Sequence, residues 1–324
     1  MKRIIRNQHI DALRGVAIIL VVLGHALQTY LKDMDSNLLF RYIYSFHMPL
    51  FMFISGYVTF GKNIDIRKKF LTLAVPFFAW YQVQYLLHSV IFQEHLKYVP
   101  YMVQLLVSPD FGLWFLWVLF LNFLYLKIVL TYTNLSSHYG DVIGVVAGCL
   151  LLQATQLNAL GIGFAKVFFV FFAGGYLFPK YAPNIPYKKI SKIIVIIGFL
   201  ILGSLWYRLS PPIAWETFIV GWHSIHLHGA TNLLPLYEFI VPVLGIGACY
   251  SLVPKNGGWW YQILAWLGTL TMEIYVIHAY ILVGFGTGLF QIISATVIAI
   301  IGSILLASMM KKSRLLDSIF FGGR

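Results

Sequence analysis

The sequence predicts an all-α polytopic integral membrane protein, and three observations support that prediction. Hydrophobic residues, with Tyr counted among them, make up 60% of the 324 positions, while charged residues make up only 10%, far fewer than a water-soluble surface needs. The mean hydropathy is +0.80. Apolar runs of about 20 residues, long enough to cross a bilayer, recur from one end of the chain to the other. A water-soluble globular protein is therefore excluded.

Ten apolar segments between polar breaks are the predicted membrane spans. In chain order they cover residues 10–31, 46–60, 71–92, 111–132, 141–158, 161–178, 193–210, 229–252, 261–284 and 288–310. Basic residues precede the first segment as in a secretory signal, but no small-residue cleavage site follows it, so we expect a retained span. The polar breaks are too short for a soluble domain, and residues 1–324 are expected to form a single transmembrane domain.

The basic residues indicate how the chain crosses the membrane. There are 23 Lys and Arg residues against 11 Asp and Glu residues, for a formal net charge of +12. With ten spans, most of the basic residues fall on one side, and the opposite side keeps only Lys32, Arg41, Lys97 and Arg208. The positive-inside rule then predicts that both termini are cytoplasmic. Membrane orientation accounts for the charge, and no nucleic-acid partner is expected.

The first span carries a polar stripe. Arg14 and His25 are eleven residues apart, which on an α-helix leaves them about 20° apart in phase and about 16 Å apart along the axis. Asp11, three residues before Arg14, falls on the same stripe. Ionisable groups inside a bilayer are costly and usually functional. The stripe indicates either a site in which Arg14 meets an anion and His25 handles a proton, or an interfacial ion pair with a packed histidine.

A series of ordered motifs resembles the integral-membrane acyltransferase-3 family. The motifs are Arg14 and His25 with ten residues between them, SFHMPLFMFISGY at 45–57, the basic RKK at 67–69 leading to Pro76, LWFLW at 113–117 and TMEIYVIH at 271–278. The resemblance covers essentially the whole chain. Within the family, the chain is most similar to the fucose 4-O-acetylase-like branch of carbohydrate O-acetyltransferases.

The resemblance implies an enzyme that moves an acetyl or other acyl group from cytoplasmic acetyl-CoA to a hydroxyl of a cell-surface or lipid-linked carbohydrate. It further implies a multi-pass protein of the plasma (bacterial inner) membrane. His25 is then the expected catalytic base, or it carries the acyl group itself. Arg14 is expected to orient the thioester end or the pyrophosphate of the CoA. Arg67, Lys68 and Lys69 are expected to meet its phosphates, although they also fit a topology signal alone.

Further residues are candidates for contacts with the acyl group and the acceptor. Ser55, beside Gly56, could donate to the thioester carbonyl, or these small residues could only allow close packing against the first span. The candidates for acceptor binding are His47, Trp114, Trp117, Glu273, Tyr275 and His278. Their structural alternatives are an interfacial position for the histidine at 47, an aromatic belt for the two tryptophans, and pairing or packing for the three residues of the ninth span.

Other features of the sequence bear on a metal site, a disulfide and functions other than acyl transfer. His223, His226 and His228 lie close together, but the family chemistry needs no metal, and none is expected. Cys149 and Cys249 lie far apart in apolar segments and suggest neither a metal site nor a disulfide. The alternatives are a multi-span transporter or flippase for a glycolipid or small solute, and a binding or sensing protein without chemistry. A transporter would favour repeated halves, of which the sequence shows no convincing sign.

Overall fold

The computed structural model describes residues 7–91, 97–107, 113–133, 139–182, 189–206, 234–282 and 288–323. These ranges contain helices and no strand, which confirms the predicted all-α class. Six of the described helices are long and apolar enough to cross a membrane, and a seventh span would consist of two helices that meet at a sharp bend. Three shorter apolar helices accompany them. The count of ten spans, the cytoplasmic termini and the single domain over 1–324 stay predictions.

The helices follow one another closely along the chain. In order they are α1 (Gln8–Tyr30), α2 (Leu38–Tyr57), α3 (Ile66–Lys69), α4 (Val75–Leu86), α5 (Tyr98–Val107), α6 (Trp114–Tyr132), α7 (Gly140–Ala154), α8 (Ile162–Tyr181), α9 (Lys189–Ser204), α10 (Leu234–Leu252), α11 (Trp259–Leu267), α12 (Thr271–Ile281), α13 (Leu289–Met310) and α14 (Arg314–Leu316). Five-residue π-helical turns at Phe70–Ala74, Leu87–Ile91 and Asp317–Phe321 join or extend them.

The chain divides into two compact units. Unit 1 comprises Met1–Ile54, Ile185–Pro212 and Glu216–Ser308, and unit 2 comprises Ser55–Asn184, Ile213–Trp215 and Met309–Arg324. Each unit has its own buried apolar core, and each carries part of the set of residues selected from the sequence.

Unit 1 is organised around α1, which begins at a well-formed cap. The side-chain oxygen of Asn7 accepts hydrogen bonds from the backbone N–H groups of His9 and Ile10, at 3.1 and 3.4 Å, so the first turn has partners for its free donors. Downstream, α1 touches the α11 region backbone to backbone. A Cβ atom on Gly15 would overlap the carbonyl oxygen of Leu264, and one on Gly268 would overlap the carbonyl oxygen of Asp11. Small residues of this kind let membrane helices approach closely.

The ninth predicted span is broken. The sequence predicted one continuous helix over 261–284, whereas α11 and α12 meet at 79° across a three-residue break. At the break, the carbonyl of Trp266 accepts from both the backbone N–H and the hydroxyl of Thr269, at 2.9 and 2.7 Å. The next carbonyl, of Leu267, accepts from the N–H of Leu270 at 2.9 Å. These tight turns use carbonyls that a continuing α-helix would need, so the chain changes direction.

The second span begins earlier than the apolar run suggested. The sequence predicted residues 46–60, but α2 starts at Leu38. Just before it, the side chain of Asn37 accepts from the backbone N–H of Phe40 at 3.0 Å, which is the usual signature of a helix start. His47 therefore lies inside a helix and not at its first turn.

In unit 2, polar contacts join α7 to α8 at both ends of this helix pair. The carboxylate of Asp141 in the first turn of α7 accepts from Lys180 Nζ at 2.9 Å and from the hydroxyl of Tyr181 at 2.9 Å. Near the start of α8, the ammonium group of Lys166 reaches the carbonyl of Thr155 and the side-chain oxygen of Asn158, at 2.5 and 3.0 Å. Lys166, which the sequence placed inside a span, is thus held by the loop before α8.

The segment after α13 folds back onto α4 in unit 2. Trp80 Nε1 donates to the carbonyl of Phe320 at 3.0 Å, and the ring of Phe321 is completely buried. Gly322 has a φ of +75°, a left-handed conformation that glycine adopts without strain, and a Cβ atom there would lie only 2.5 Å from the Cα of Thr72. The C-terminal segment therefore packs beside the helix that follows the basic residues 67–69.

Candidate active site

His25 is the centre of a small polar cluster in unit 1. It lies near the end of α1 and is half-buried. Its ring lies 5.0 Å from the ring of His278 between centroids, at an edge-to-face angle of 66°. On another side its ring stacks with that of Tyr44 at 6.4 Å. Three helices, α1, α2 and α12, thus bring one imidazole together with a second imidazole and a phenol.

His278 is held firmly in α12. The side chain is almost fully buried, at 1% exposure. Its Nδ1 atom lies 2.8 Å from the carbonyl oxygen of Tyr275 and 3.0 Å from that of Ile274. Among the described residues, its other nitrogen, Nε2, is buried and has no hydrogen-bond partner. The ring therefore presents one nitrogen to its own helix and the other to the interior.

Tyr44 connects His25 to α2. The phenol hydroxyl of Tyr44 donates to the side-chain oxygen of Gln28, one turn after His25, at 2.5 Å. The ring of Tyr44 also lies 4.9 Å from the ring of His47. Tyr44 and Gln28 were missed in the sequence. A predicted helix that begins at Leu38 contains both Tyr44 and His47, and their three-residue spacing places them on one helix face.

His47 lies buried within α2, whereas the sequence placed it at the beginning of the second predicted span. It is only 2% exposed, and its Nδ1 atom bonds to the carbonyl oxygen of Ile43 at 2.7 Å. The physical reason is the early start of α2, which puts more than two turns of helix before this residue. The backbone carbonyl thus provides a hydrogen-bond partner for one nitrogen of the buried ring.

Arg14 and Asp11 form the ion pair that their spacing predicted. Nη1 of Arg14 lies 3.5 Å from Oδ1 of Asp11, and the two side chains are 27% and 6% exposed. Because α1 is one continuous helix from Gln8 to Tyr30, Arg14 and His25 keep the predicted axial separation of about 16 Å. Arg14 stays partly accessible while a buried carboxylate fixes its direction.

Glu273 and Tyr275 lie in the buried first turns of α12, and their exposures are 5% and 8%. Glu273 belongs to the first turn, where the positive end of the helix dipole favours a negative side chain. The ring of Tyr275 lies 6.1 Å from that of His278. All three residues selected from the ninth predicted span are therefore buried in unit 1.

Unit 2 holds the basic segment. Arg67 and Lys68 are exposed on α3, which Asp65 caps by accepting from the N–H of Lys68 at 3.0 Å. The ammonium group of Lys69 instead lies 3.7 Å above the centre of the Phe123 ring, a cation–π contact. Two of the three predicted phosphate-binding side chains therefore point to solvent, and the third packs against an aromatic ring.

The two tryptophans of unit 2 pack against other parts of the protein. Trp114 stacks on Phe164 with 5.0 Å between ring centroids. Nε1 of Trp117 donates to the carbonyl oxygen of Leu160 at 2.8 Å, and its ring stacks on Phe77 at 5.7 Å. Much of each indole is thus already in contact with protein.

Ser55 is half-buried near the end of α2. Beside it, Gly56 lies against α8, since a Cβ there would overlap the carbonyl oxygen of Phe172. The sequence predicted that this close approach would be to the first span, so the predicted partner helix was wrong. A glycine indicates that some backbone comes close, but it does not indicate which one.

The described residues contain no group of three or more His, Cys, Asp or Glu side chains that could hold a metal ion. His223, His226 and His228, the one candidate cluster in the sequence, lie outside the described residues.

Comparison with known proteins assigns the chain to a family. A family model described as an acyltransferase domain, of the acyltransferase-3 type, matches residues 7–311. The nodulation protein NolL of Mesorhizobium japonicum is 29% identical over 187 residues, which are 54% of this chain and 48% of that protein. NolL of Sinorhizobium fredii is 28% identical over 185 residues, which are 54% of this chain and 49% of that protein. The chain spans about half the length of these curated relatives, and no solved structure matches.

Proposed function

This chain belongs to the acyltransferase-3 family of membrane proteins, and we propose that it transfers an acetyl group from cytoplasmic acetyl-CoA to a carbohydrate hydroxyl. The acceptor is a cell-surface or lipid-linked glycan, and the membrane is a bacterial inner membrane. The observation that carries the proposal is the cluster of His25, Tyr44 and His278, which three helices bring together inside unit 1. A half-buried imidazole among buried polar groups is the arrangement that general base catalysis requires.

In the proposed reaction, His25 takes the proton of the acceptor hydroxyl while the hydroxyl oxygen attacks the thioester carbonyl. A carbon–oxygen bond forms and the carbon–sulfur bond breaks. The proton on His25 then passes to the departing thiolate of CoA, so the ring ends neutral. Histidine suits this role because its ordinary pKa lies near the working pH and its neutral form is inexpensive to bury. Direct transfer of this kind needs no acyl-enzyme.

Arg14 is proposed to orient the donor. It lies on the same face of α1 as His25, and its guanidinium is held by Asp11 at 3.5 Å while remaining 27% exposed. A planar guanidinium can bind a phosphate with two parallel hydrogen bonds. The flexible arm of CoA, which joins its phosphates to the thioester, would then run along α1 toward His25. Arg67 and Lys68, both exposed on α3, are proposed to bind phosphates of CoA, with Lys69 adding positive charge.

The acceptor is proposed to bind through buried polar groups and aromatic rings. Glu273 and Tyr275 supply a carboxylate and a phenol that can bind sugar hydroxyls, and His47 supplies an imidazole. Trp114 and Trp117 are proposed to contact a sugar through whatever ring surface their protein contacts leave. Ser55 is proposed to donate to the thioester carbonyl as negative charge develops on its oxygen.

A transporter or flippase for a glycolipid or small solute is the second candidate, and one observation favours it. The 79° break between α11 and α12 resembles the discontinuous helices that build substrate sites in transporters. The family assignment weighs against transport, and a turnover assay separates the two functions.

The test is release of free CoA by the purified protein in nanodiscs, supplied with labelled acetyl-CoA and a pool of lipid-linked sugars. The wild type should release CoA only when acceptor is present, and His25→Ala should lower kcat by about 10²- to 10⁴-fold, the usual contribution of a positioned base. Arg14→Gln should raise KM for acetyl-CoA by about tenfold or more, with a smaller effect of Arg14→Lys. A wild type that neither binds acetyl-CoA nor releases CoA would refute the enzyme and favour transport.

A further inference from the structure

His278 has a defined protonation pattern. Both atoms that meet its Nδ1 are backbone carbonyl oxygens, at 2.8 and 3.0 Å, and a carbonyl can only accept a hydrogen bond. Nδ1 must therefore carry the hydrogen. In a neutral ring the other nitrogen, Nε2, is then a lone pair that can only accept. A charged ring with 1% exposure would be costly in a membrane interior, so the neutral form is the one that fits.

This acceptor atom is buried and has no hydrogen-bond partner among the described residues. Such atoms are rare in folded proteins, and a catalytic role is one of the reasons that accounts for them. The nearest titratable ring that the structure records is that of His25, 5.0 Å away and inclined at 66°. Because each ring nitrogen lies about 1.2 Å from its ring centroid, a separation of this size allows a nitrogen of His25 to come within hydrogen-bonding distance of Nε2.

The other candidates for a partner of His25 are less suitable. Asp11 precedes it by fourteen residues, which is about 21 Å along α1. The ring of Tyr44 lies 6.4 Å from that of His25 between centroids, which is farther than the 5.0 Å to the ring of His278. The hydroxyl hydrogen of Tyr44 is directed to Gln28. Of the two rings that the structure records beside His25, that of His278 is the nearer, and it carries the buried Nε2 lone pair.

We infer that His278 is a positioning residue, whose Nε2 accepts a hydrogen bond from one N–H of His25 and so determines which nitrogen of His25 acts as the base. The inference rests on the proposed function. When the other nitrogen of His25 takes the hydroxyl proton, the ring becomes positively charged, and the N–H that it already donates to His278 becomes a charged donor. A charged donor strengthens that bond. The neutral ring of His278 thus orients His25, as a carboxylate orients the histidine in other catalytic sites, without burying a second charge.

The test compares two amide substitutions of similar polarity. In His278→Gln the side-chain oxygen can reach the position of Nε2, so the acceptor is retained. In His278→Asn the amide reaches only the position of Nδ1, so the acceptor is lost. Acceptor-dependent CoA release should show kcat lowered by about tenfold or more in His278→Asn, the size of effect seen when the partner that orients a functional imidazole is removed. His278→Gln should restore most of kcat, and KM for acetyl-CoA should change little in either variant.

His9 provides a matched control on α1. It is also a buried histidine whose Nδ1 bonds to a backbone carbonyl, that of Pro254 at 3.1 Å, and whose Nε2 has no partner among the described residues. It lies sixteen residues from His25, about 24 Å along the helix. His9→Asn makes the same chemical change at that distance and should leave kcat unchanged. An equal loss of kcat in His9→Asn and His278→Asn would overturn the inference, because it would indicate a general effect on folding.

A spectroscopic readout separates the inference from the proposed function. With ¹⁵N-labelled histidine in nanodiscs, the His25 nitrogens should report one dominant tautomer in the wild type and in His278→Gln, and a mixture in His278→Asn. A tautomer mixture in the wild type overturns the inference whether or not the protein turns over. Full kcat in His278→Asn, with His25→Ala inactive, also overturns it and leaves the proposed function standing. Absence of both acetyl-CoA binding and turnover in the wild type, with a single His25 tautomer, overturns the function but supports the contact.

Discussion

Replacing Gly15 by alanine is expected to separate α1 from α11 and to destabilise the protein. The added Cβ would overlap the carbonyl oxygen of Leu264 and lie 2.7 Å from its carbonyl carbon. Carbon atoms pack at about 3.5–4.0 Å, so the two backbones must move apart by roughly 1 Å. A second close approach, between Gly268 and the carbonyl of Asp11, opposes that movement a few residues away.

The expected loss of stability depends on which atoms block the added methyl group. Overfilling a packed interior costs about 1–3 kcal/mol when side chains can shift, and here the obstacle is backbone, so a cost of about 3 kcal/mol is expected. Gly174→Ala in α8 is the matched control, since no atom lies within 4 Å of its added Cβ. There alanine should be neutral or stabilising by up to about 1 kcal/mol, because it favours the helix.

The assay is thermal unfolding of both variants in the same nanodiscs. At about 2–4 °C per kcal/mol, Gly15→Ala should unfold roughly 6 °C or more below Gly174→Ala. Because α1 also carries Arg14 and His25, CoA release should fall in the same variant. Equal Tm values for Gly15→Ala and Gly174→Ala would refute the close backbone contact and with it the described packing of α1.

Three further predictions concern unit 2, and Tm of the purified variants checks each. Phe321→Ala should cost about 3–5 kcal/mol, because the ring is completely buried and its loss leaves a cavity; an unchanged Tm would mean that the C-terminal segment does not pack as described. Lys69→Met should cost about 0.5–2 kcal/mol through loss of the cation–π contact with Phe123, and Lys69→Arg should cost less. Lys180→Met should lower Tm because it removes a charge partner of the buried Asp141 carboxylate, and adding Asp141→Asn should recover part of the loss; additive losses would contradict the pairing.

Local features of the site could be predicted from the sequence because they lie within one helix. The spacing of Asp11, Arg14 and His25 sets their shared face through the helical period alone, and the ion pair between the first two follows from it. The sequence was less informative about where α2 begins. The apolar run does not include the first helical turns of α2, which begin at Leu38. The capping residue Asn37 was the signal that could have located them.

Contacts between helices could not be predicted in the same way. Gly56 indicated a close approach, but its partner was α8 and not the first span, since any backbone can fill the space beside a glycine. The break between α11 and α12 was also missed, because both halves are apolar and the hydropathy of the region looks continuous. Neither error affects the predicted all-α class, because that prediction depends on composition and on the recurring apolar runs.

The sequence by itself determined that this is a helical membrane protein, that Arg14 and His25 share a helix face, and that the motifs resemble the acyltransferase-3 family. These properties depend on composition, residue order and the 3.6-residue helical period. Only the tertiary structure decided that His278 and Tyr44 lie against His25. Those contacts join residues far apart in the chain, and they depend on how closely α1 packs and on the angle at which α12 leaves α11. No periodicity along a single helix contains that information.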